Sequence, residues 1–472
     1  MNAQIATLAY IGAILWLFFL DRDRSVRTSK ALWIPVTWLL INGSRPVSEW
    51  LQTGPTVAPV HQYVEGSPLD ALVFGVLITA GLIVLAYRGR QVGMFLLANL
   101  PILLFLSYCA ISILWSDYPF VAFKRWGKAA GDVLMVLIVL TDANPISAIK
   151  RFLSRAAFVL IPFSVLFIKY YPNLGRSYNS WTWVPMYSGV TTYKNLLGMT
   201  CLICGLGSVW SFMAAYKDRE NTRRTRHLIA HGVILAMVIW LFWIANSMTS
   251  LACFVMAGSV MALTGRPWVA RRAWAVHVLV AVVIFLSLSV LFFDSGRSLV
   301  QLLGRDPTLT GRTAIWAAVL AVSGNPLLGS GFESFWTGDR IQRVLELSGQ
   351  QVQEAHNGYV EVYLNLGWIG LSLLAVLIVT GYRNVITVFR QDSHAGRIRL
   401  GCFVVGVIYS FTEAGFRMMS PVWIAFLLAI TAVANAPVPE GPTSLRNNDT
   451  LSKAEPQVAD MVGVVRLHQK RV

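Results

Sequence analysis

Residues 353–371 read QEAHNGYVEVYLNLGWIGL, and the rest of the chain can be interpreted outward from this stretch. Its first residues are polar, whereas its later residues form the apolar pattern of a buried helix. His356 lies where the character changes. The stretch therefore predicts a helix that follows a polar loop and enters a membrane, with the titratable ring of His356 at the start of the helix.

The composition favours a membrane protein. Of the 472 residues, 56% are hydrophobic and 13% are charged, whereas soluble globular proteins carry about 25% charged residues. The formal net charge is +16, but the basic residues lie in short clusters between apolar runs. The positive-inside rule predicts such clusters in cytoplasmic loops. We therefore expect membrane lipids with anionic head groups, and not nucleic acid, as their partners.

The apolar runs predict an all-α polytopic membrane protein with about 12–14 transmembrane helices, since a span needs about 20 apolar residues. The first 20 residues lack the basic start of a signal peptide, so they are interpreted as a retained span. The predicted regions are N-terminal membrane helices (1–292), a large periplasmic loop with short helices (293–358), C-terminal membrane helices (359–436) and a disordered cytoplasmic tail (437–472).

Basic residues also predict the orientation. Arg22, Arg24, Arg27 and Lys30 place the first loop in the cytoplasm, and the other strongly basic loops follow on the same side. Residues 293–358 then lie outside. Lys124, Arg125 and Lys128 break the rule, because the same alternation places residues 116–128 outside. Either the topology differs there or these cations bind a ligand.

The large loop contains a predicted helix within TGRTAIWAAVLAVSGNPLLGSGFESFW, residues 310–336. Ile315, Ala318, Val319 and Val322 recur at helical spacing, Thr310 is a candidate N-cap, and SGNP ends the pattern. Arg312 lies in the first turn, where the helix dipole and a guanidinium favour a phosphate. The alternative is an ion pair with Asp306.

His356 and its neighbours offer acid–base chemistry. A histidine with an ordinary pKa of about 6.5 can accept a proton from a hydroxyl, but a lone histidine at a helix start is also commonly structural. Asn357 is a candidate for orienting a substrate. Glu413 either faces a cavity or pairs locally with Arg417, four residues later.

Lys194 begins another predicted span and either extends to the membrane interface or binds phosphate. The sequence contains no HExxH, DxD, Walker A or GxGxxG pattern and no dense Cys/His cluster. We therefore expect neither a metal nor another cofactor. Energy for a reaction would come from an activated substrate or a gradient.

The order of several motifs resembles the O-antigen ligase and Wzy polymerase superfamily. These motifs are GRTAIW, NPLLGSGFESFW and EAHNGYVEVYLNLGWIGL, preceded by ILWSDYPFVAFKRWGK and GVTTYKNLLG. The last two are similar to the branch of exopolysaccharide production proteins. The resemblance covers roughly residues 114–421.

The resemblance implies a metal-independent, GT-C-like glycosyltransferase of the bacterial inner membrane, with its active site facing the periplasm. Its donor would be a glycan on undecaprenyl diphosphate, and its acceptor a glycan or a lipid. Arg312 matches the arginine of the family that binds the diphosphate, and His356 matches the histidine that activates the acceptor hydroxyl. Other polysaccharide-assembly proteins are further candidate partners.

One position departs from the family pattern. Met248, in ANSMTSLACF, stands where family members often carry a second basic residue. Lys194, Arg125 or Arg417 is therefore expected to supply the missing cation, unless the activity is weak or different.

The sequence leaves two function classes open. Polymerisation of exopolysaccharide repeat units is the first choice, with transfer to a lipid A core or another acceptor as the alternative within the same class. A transporter of polysaccharide or lipid-linked sugar is the alternative of another class. It would place charged or broken helices near the middle of the membrane.

Overall fold

The structure is a computed structural model that describes residues 2–23, 26–52, 66–178, 184–220, 222–292 and 312–432. Residues 293–311, which include Asp306 and Thr310, and the predicted tail at 437–472 lie outside the described residues. The proposed N-cap and the proposed Arg312–Asp306 pair therefore stay predictions.

The first half of the chain forms helices of very different length. They are α1 (Ala3–Leu20), α2 (Trp33–Asn42), α3 (Val47–Trp50), α4 (Pro68–Tyr87), α5 (Gly89–Ala98), α6 (Leu100–Ile111), α7 (Pro119–Leu140), α8 (Pro145–Tyr170) and α9 (Pro172–Gly175). Short 3-10 helices cover Lys30–Leu32 and Ser112–Trp115. Strands β1 (Arg176–Tyr178) and β2 (Pro185–Tyr187) pair antiparallel, with Ser177 opposite Met186.

The second half continues the helical fold. Its helices are α10 (Lys194–Lys217), α11 (Arg224–Ala245), α12 (Met248–Leu263), α13 (Pro267–Ala270), α14 (Ala273–Phe292), α15 (Arg312–Val322), α16 (Arg340–Ser348), α17 (Gly358–Gln391), α18 (Ser393–Tyr409) and α19 (Pro421–Ile430). The helix predicted in the large loop is therefore present as α15, and Ile315, Ala318 and Val319 are its buried residues.

The all-α polytopic membrane fold is confirmed. Within the described residues, six helices are long and apolar enough to cross a membrane: α1, α4, α8, α10, α11 and α17. A seventh span results if Gln91–Ala98 and Leu100–Trp115, bent by 81°, count as one. This is fewer than the 12–14 predicted, because other apolar segments form shorter helices, such as α12 and α19, or carry several charges, as α7 does.

The large loop packs on a kink in α17. Gly367 has φ +64° inside this helix, and its Cα faces the backbone of Leu327 so closely that a Cβ would collide. The amide of Trp368 donates to the carbonyl of Pro326 at 2.9 Å, and the amide of Ser330 donates to Leu364 at 3.0 Å. The glycines of NPLLGSG and NLG thus allow the loop and the helix to approach at backbone distance.

The two ends of α10 lie in different surroundings. This helix has 24 residues and is about 36 Å long at 1.5 Å per residue. At its end, Lys217 donates to the carbonyl of Gly265 at 2.8 Å, in the basic segment after α12. Its start, Lys194, lies beside the large loop, which contacts the same cavity. The loop and the basic segment after α12 are therefore at opposite ends of α10.

Candidate active site

A buried carboxylate fixes the backbone next to His356. Glu361, in the first turn of α17, accepts hydrogen bonds from the indole of Trp336 at 2.9 Å and from the amide of Ala355. His356 itself has φ +48°, in the left-handed region that non-glycine residues rarely adopt. The contacts of the neighbouring Ala355 and Asn357 hold this unfavourable conformation.

The side chain of Asn357 has a structural role. Its oxygen accepts from the amides of Tyr359 and Val360 at 3.0 and 3.1 Å, and its nitrogen donates to the carbonyl of Phe411 at 3.1 Å. It caps α17 and ties the helix start to the segment that carries Glu413. These contacts use the amide oxygen and one of the two N–H groups of Asn357, and the role in orienting a substrate stays a prediction.

Glu413 is the point where three separate segments meet. Its carboxylate lies 2.8 Å from Nη2 of Arg312, 3.4 Å from Nδ1 of His356 and 3.3 Å from the amide nitrogen of Asn195. The residue is 6% exposed, and a carboxylate this buried needs such partners. The local pair with Arg417 that the spacing suggested is absent among these contacts, because Arg417 bonds Glu333 at 3.2 Å instead.

A second carboxylate completes the surroundings of the His356 ring. Glu354 lies 2.9 Å from Nδ1 of His356 and 3.9 Å from Nη1 of Arg417. Burial alone would lower the pKa of His356, but the hydrogen bonds and charges of Glu354 and Glu413 outweigh burial and raise the pKa to about 9. The ring is therefore mostly protonated at neutral pH, in contrast to the ordinary pKa assumed from the sequence.

Arg312, His356 and Lys194 line one cavity of about 270 Å³, called here the cationic cavity. Its walls also contain Asn195, Asn246, Ser247, Met248, Thr249, Ile315, Gln350 and Glu413. Lys194 makes no ion pair within the part of the chain that the structure describes. With the ring protonated, three cations face a single carboxylate.

Three helices begin at this cavity. Lys194 is the first residue of α10, Met248 of α12 and Arg312 of α15. The first amide groups of a helix lack partners within it and carry a partial positive charge. Met248 therefore brings a helix start to the cavity although its side chain is neutral, and Lys194 adds a charge beside it.

A neighbouring cavity of about 360 Å³, called here the acidic cavity, lies on the other side of Glu413. Glu413 and Asn195 belong to the walls of both cavities. The other charged residues of the acidic cavity are Asp70, Lys128, Glu354 and Arg417. Three carboxylates therefore face two cations, so negative groups outnumber positive ones here, whereas cations outnumber carboxylates in the cationic cavity.

Arg125 lines neither the cationic cavity nor the acidic cavity. Its guanidinium donates a short hydrogen bond to the backbone carbonyl of Glu333, which holds the turn that also carries the partner of Arg417. Of the cations expected to replace a basic residue at Met248, only Lys194 shares the cationic cavity with Met248 and Arg312.

Glu354, His356 and Glu413 also have the composition of a metal site, since their ligand atoms lie within 4.8 Å of one another. The carboxylates, however, face Arg312, Arg417 and the imidazolium. A metal ion would have to displace cations that already balance these charges, so the donor set fits an ion-pair network better.

Sequence reasoning did not select Glu354, Glu333 or Asn195. Glu333 is nevertheless 9% exposed, and Glu354 lies against the ring of His356. Asn195 directly follows Lys194 in GVTTYKNLLG, so that motif did contain a signal.

Comparisons with known proteins agree with the motifs. Residues 231–375 match the family model Wzy_C, described as O-Antigen ligase. This part of the chain includes Arg312 and His356, but not Lys194 or Glu413. The chain is also 24% identical over 289 residues to "Exopolysaccharide production protein ExoQ" of Rhizobium meliloti (strain 1021). That alignment covers 59% of this chain and 63% of the ExoQ protein, which is less than two thirds of the relative. The resemblance to the O-antigen ligase and Wzy polymerase superfamily is confirmed.

Proposed function

We propose that this protein, whose residues 231–375 match the family model described as O-Antigen ligase, is a membrane glycosyltransferase whose donor is a glycan on undecaprenyl diphosphate. The observation that carries the proposal is the cationic cavity, where the cations Lys194 and Arg312 lie beside the His356 ring and face one carboxylate, Glu413. A glycosyl diphosphate diester is a dianion, and such a site supplies the charge that it needs.

Arg312 and Lys194 bind the diphosphate in this proposal. The guanidinium presents a planar fork to the phosphate oxygens, and the ammonium acts as a point charge. The starts of α10, α12 and α15 add oriented amide dipoles. These groups stabilise the charge that develops on the leaving diphosphate, so the reaction needs no metal in this proposal.

His356 activates the acceptor. The two carboxylates engage Nδ1, so in the neutral form of the ring Nδ1 keeps its proton and Nε2 accepts the proton of the attacking hydroxyl. The hydroxyl oxygen forms a bond to the anomeric carbon, the bond from that carbon to the diphosphate oxygen breaks, and its electron pair leaves with the diphosphate. This single displacement inverts the anomeric centre; retained configuration in the product would contradict it.

The site faces the periplasm in this proposal. The basic segment after α12 contacts Lys217, whereas the cationic cavity contains Lys194 at the other end of α10. The positive-inside rule places the basic end in the cytoplasm. A lipid-linked glycan of the bacterial inner membrane would therefore meet the cavity on the opposite, periplasmic side.

Within this class, we favour polymerisation of exopolysaccharide repeat units, because the chain is similar to an exopolysaccharide production protein. The test is to give purified protein its lipid-linked repeat units with and without a lipid A core acceptor. Longer glycans on the lipid would support polymerisation, and label on the core would support ligation. No product of either kind would contradict the proposal.

A further inference from the structure

The acidic cavity differs from its neighbour in the groups it offers to a ligand. Its carboxylates outnumber its cations, and Arg417 is already engaged by Glu333 at 3.2 Å. A second diphosphate would be repelled here. Hydroxyl groups, in contrast, donate readily to carboxylates and accept from amides, so this cavity suits a sugar.

Asn42 provides an independent sign that the cavity holds a ligand. This last residue of α2 is 7% exposed and lines the cavity. Neither its amide nitrogen nor its amide oxygen has a hydrogen-bond partner among the described residues. Buried polar groups are nearly always paired, because an unpaired one destabilises the fold.

The other buried asparagines near the bundle core behave differently. Asn99 donates to the carbonyl of Phe95 at 2.7 Å and accepts from the amide of Ala432 at 2.7 Å. Asn365 donates to Glu361 and accepts from Phe335. Of these three, Asn42 alone has an amide donor and an amide acceptor without a partner among the described residues, and it lines a cavity; a donor and an acceptor together match the hydroxyl groups of a sugar.

We propose that the acidic cavity binds the acceptor sugar, with Asn42 hydrogen-bonding its hydroxyls and with the attacking hydroxyl placed at the shared wall of Glu413. This inference rests on the proposed glycan transfer. The wall is suited to the reaction because Glu413 lies 3.4 Å from Nδ1 of His356 and 2.8 Å from Arg312. The acceptor would thus approach from one side and the donor diphosphate from the other.

The kinetic test is Asn42→Leu, which keeps the branched side-chain shape and removes both unpaired polar atoms. We expect the KM for the acceptor to rise roughly five- to tenfold, the worth of one or two neutral hydrogen bonds, with the KM for the donor unchanged. Thermal stability should be equal or higher. Asn42→Asp replaces the amide donor by a second, negatively charged acceptor oxygen, which can still accept from sugar hydroxyls, and should give a smaller rise.

Asn99→Leu is the matched control. It removes a buried amide whose bonds are satisfied within the protein, so it should lower the melting temperature and leave the acceptor KM unchanged. An unchanged acceptor KM in both Asn42 variants, or an equal rise in the donor KM, would overturn the proposal.

A binding measurement separates this proposal from the proposed function. Thr192→Cys places a thiol in the acidic cavity and Gln350→Cys places one in the cationic cavity, and the native cysteines are all buried. The repeat-unit oligosaccharide, released from its lipid, should slow maleimide labelling at position 192 only. Inorganic pyrophosphate should slow it at position 350 only.

Oligosaccharide protection of position 350 alone, or of neither thiol, would overturn the acceptor site. Failure of the wild-type protein to transfer any glycan would instead contradict the proposed function, while the protection result at position 192 would still decide whether the acidic cavity binds sugar.

Discussion

The cationic and acidic cavities share a wall and differ in charge. Both contain Asn195 and Glu413, yet one presents Lys194, Arg312 and a protonated ring, and the other presents Glu354 and Asp70. One buried carboxylate, bonded to Arg312 and His356, separates them. In the proposed reaction this difference in charge separates the two glycans, because only the donor places its diphosphate at the bond that breaks, whereas the acceptor places a sugar hydroxyl there.

The largest effect is expected from removing the cation that defines the donor side. Arg312→Ala should lower kcat roughly 100- to 1,000-fold, as the loss of a donor to developing charge does in other enzymes. Arg343→Ala is the matched control, since this exposed arginine of α16 lines neither cavity. Similar activity in the two variants would show that the cationic cavity is not the donor site.

The second effect concerns the pH dependence that the ring of His356, beside Glu413, gives to the reaction. Its pKa is raised to about 9, so the protonated form dominates below that pH and only the neutral form accepts a proton. The kcat/KM should therefore rise about tenfold per pH unit from pH 7 and level off near 9. A profile that is flat or falls over this range would instead make His356 a cation for the diphosphate.

Glu354→Gln sharpens this prediction. Glu354 is the strongest of the groups that raise the pKa of His356, so its neutralisation should move the midpoint of the profile to lower pH by roughly one unit or more. A midpoint that stays in place would assign the titration to another group.

The third effect tests which cation accompanies Arg312. Lys194→Ala should lower kcat/KM for the donor roughly 10- to 100-fold, the usual worth of a hydrogen bond to a charged group. Adding Met248→Lys to the Lys194→Ala variant should raise kcat/KM for the donor again by about tenfold, because both residues line the same cavity. Lys124→Ala, outside both cavities, serves as the control. An unchanged kcat/KM in Lys194→Ala would show that Lys194 does not bind the donor.

The smallest effect is expected outside both cavities. Trp336→Phe retains an aromatic ring in the small apolar cluster of the loop but removes the 2.9 Å hydrogen bond to Glu361. Stability should fall by about 1 kcal/mol, and activity by about fivefold at most, measured by thermal unfolding and by initial rates. A loss as large as that of Arg312→Ala would mean that Glu361 acts in the chemistry.

The sequence predicted the parts of the fold that depend on local pattern. Apolar runs gave the membrane helices, and the spacing of Ile315, Ala318 and Val319 gave the loop helix α15. Six or seven spans in the part of the chain that the structure describes are long and apolar enough to cross a membrane, fewer than the 12–14 predicted. An apolar run does not reveal whether it forms one long helix, a bent pair or a shorter helix.

The site could be predicted only in part. Arg312 and His356 were selected by their motifs, but their shared partner Glu413 lies 101 and 57 residues away, respectively. No local spacing encodes such contacts, and the i,i+4 rule suggested Arg417 instead. The raised pKa of His356 also depends on this long-range contact, so the ordinary value was the only one available from the sequence.

The most direct test is the release of undecaprenyl diphosphate by purified protein given lipid-linked repeat units. We expect one undecaprenyl diphosphate for each glycosidic bond formed, at a rate that Arg343→Ala leaves unchanged and Arg312→Ala nearly abolishes. Glycan movement without this release, or equal release by the two variants, would contradict a transferase whose donor binds in the cationic cavity.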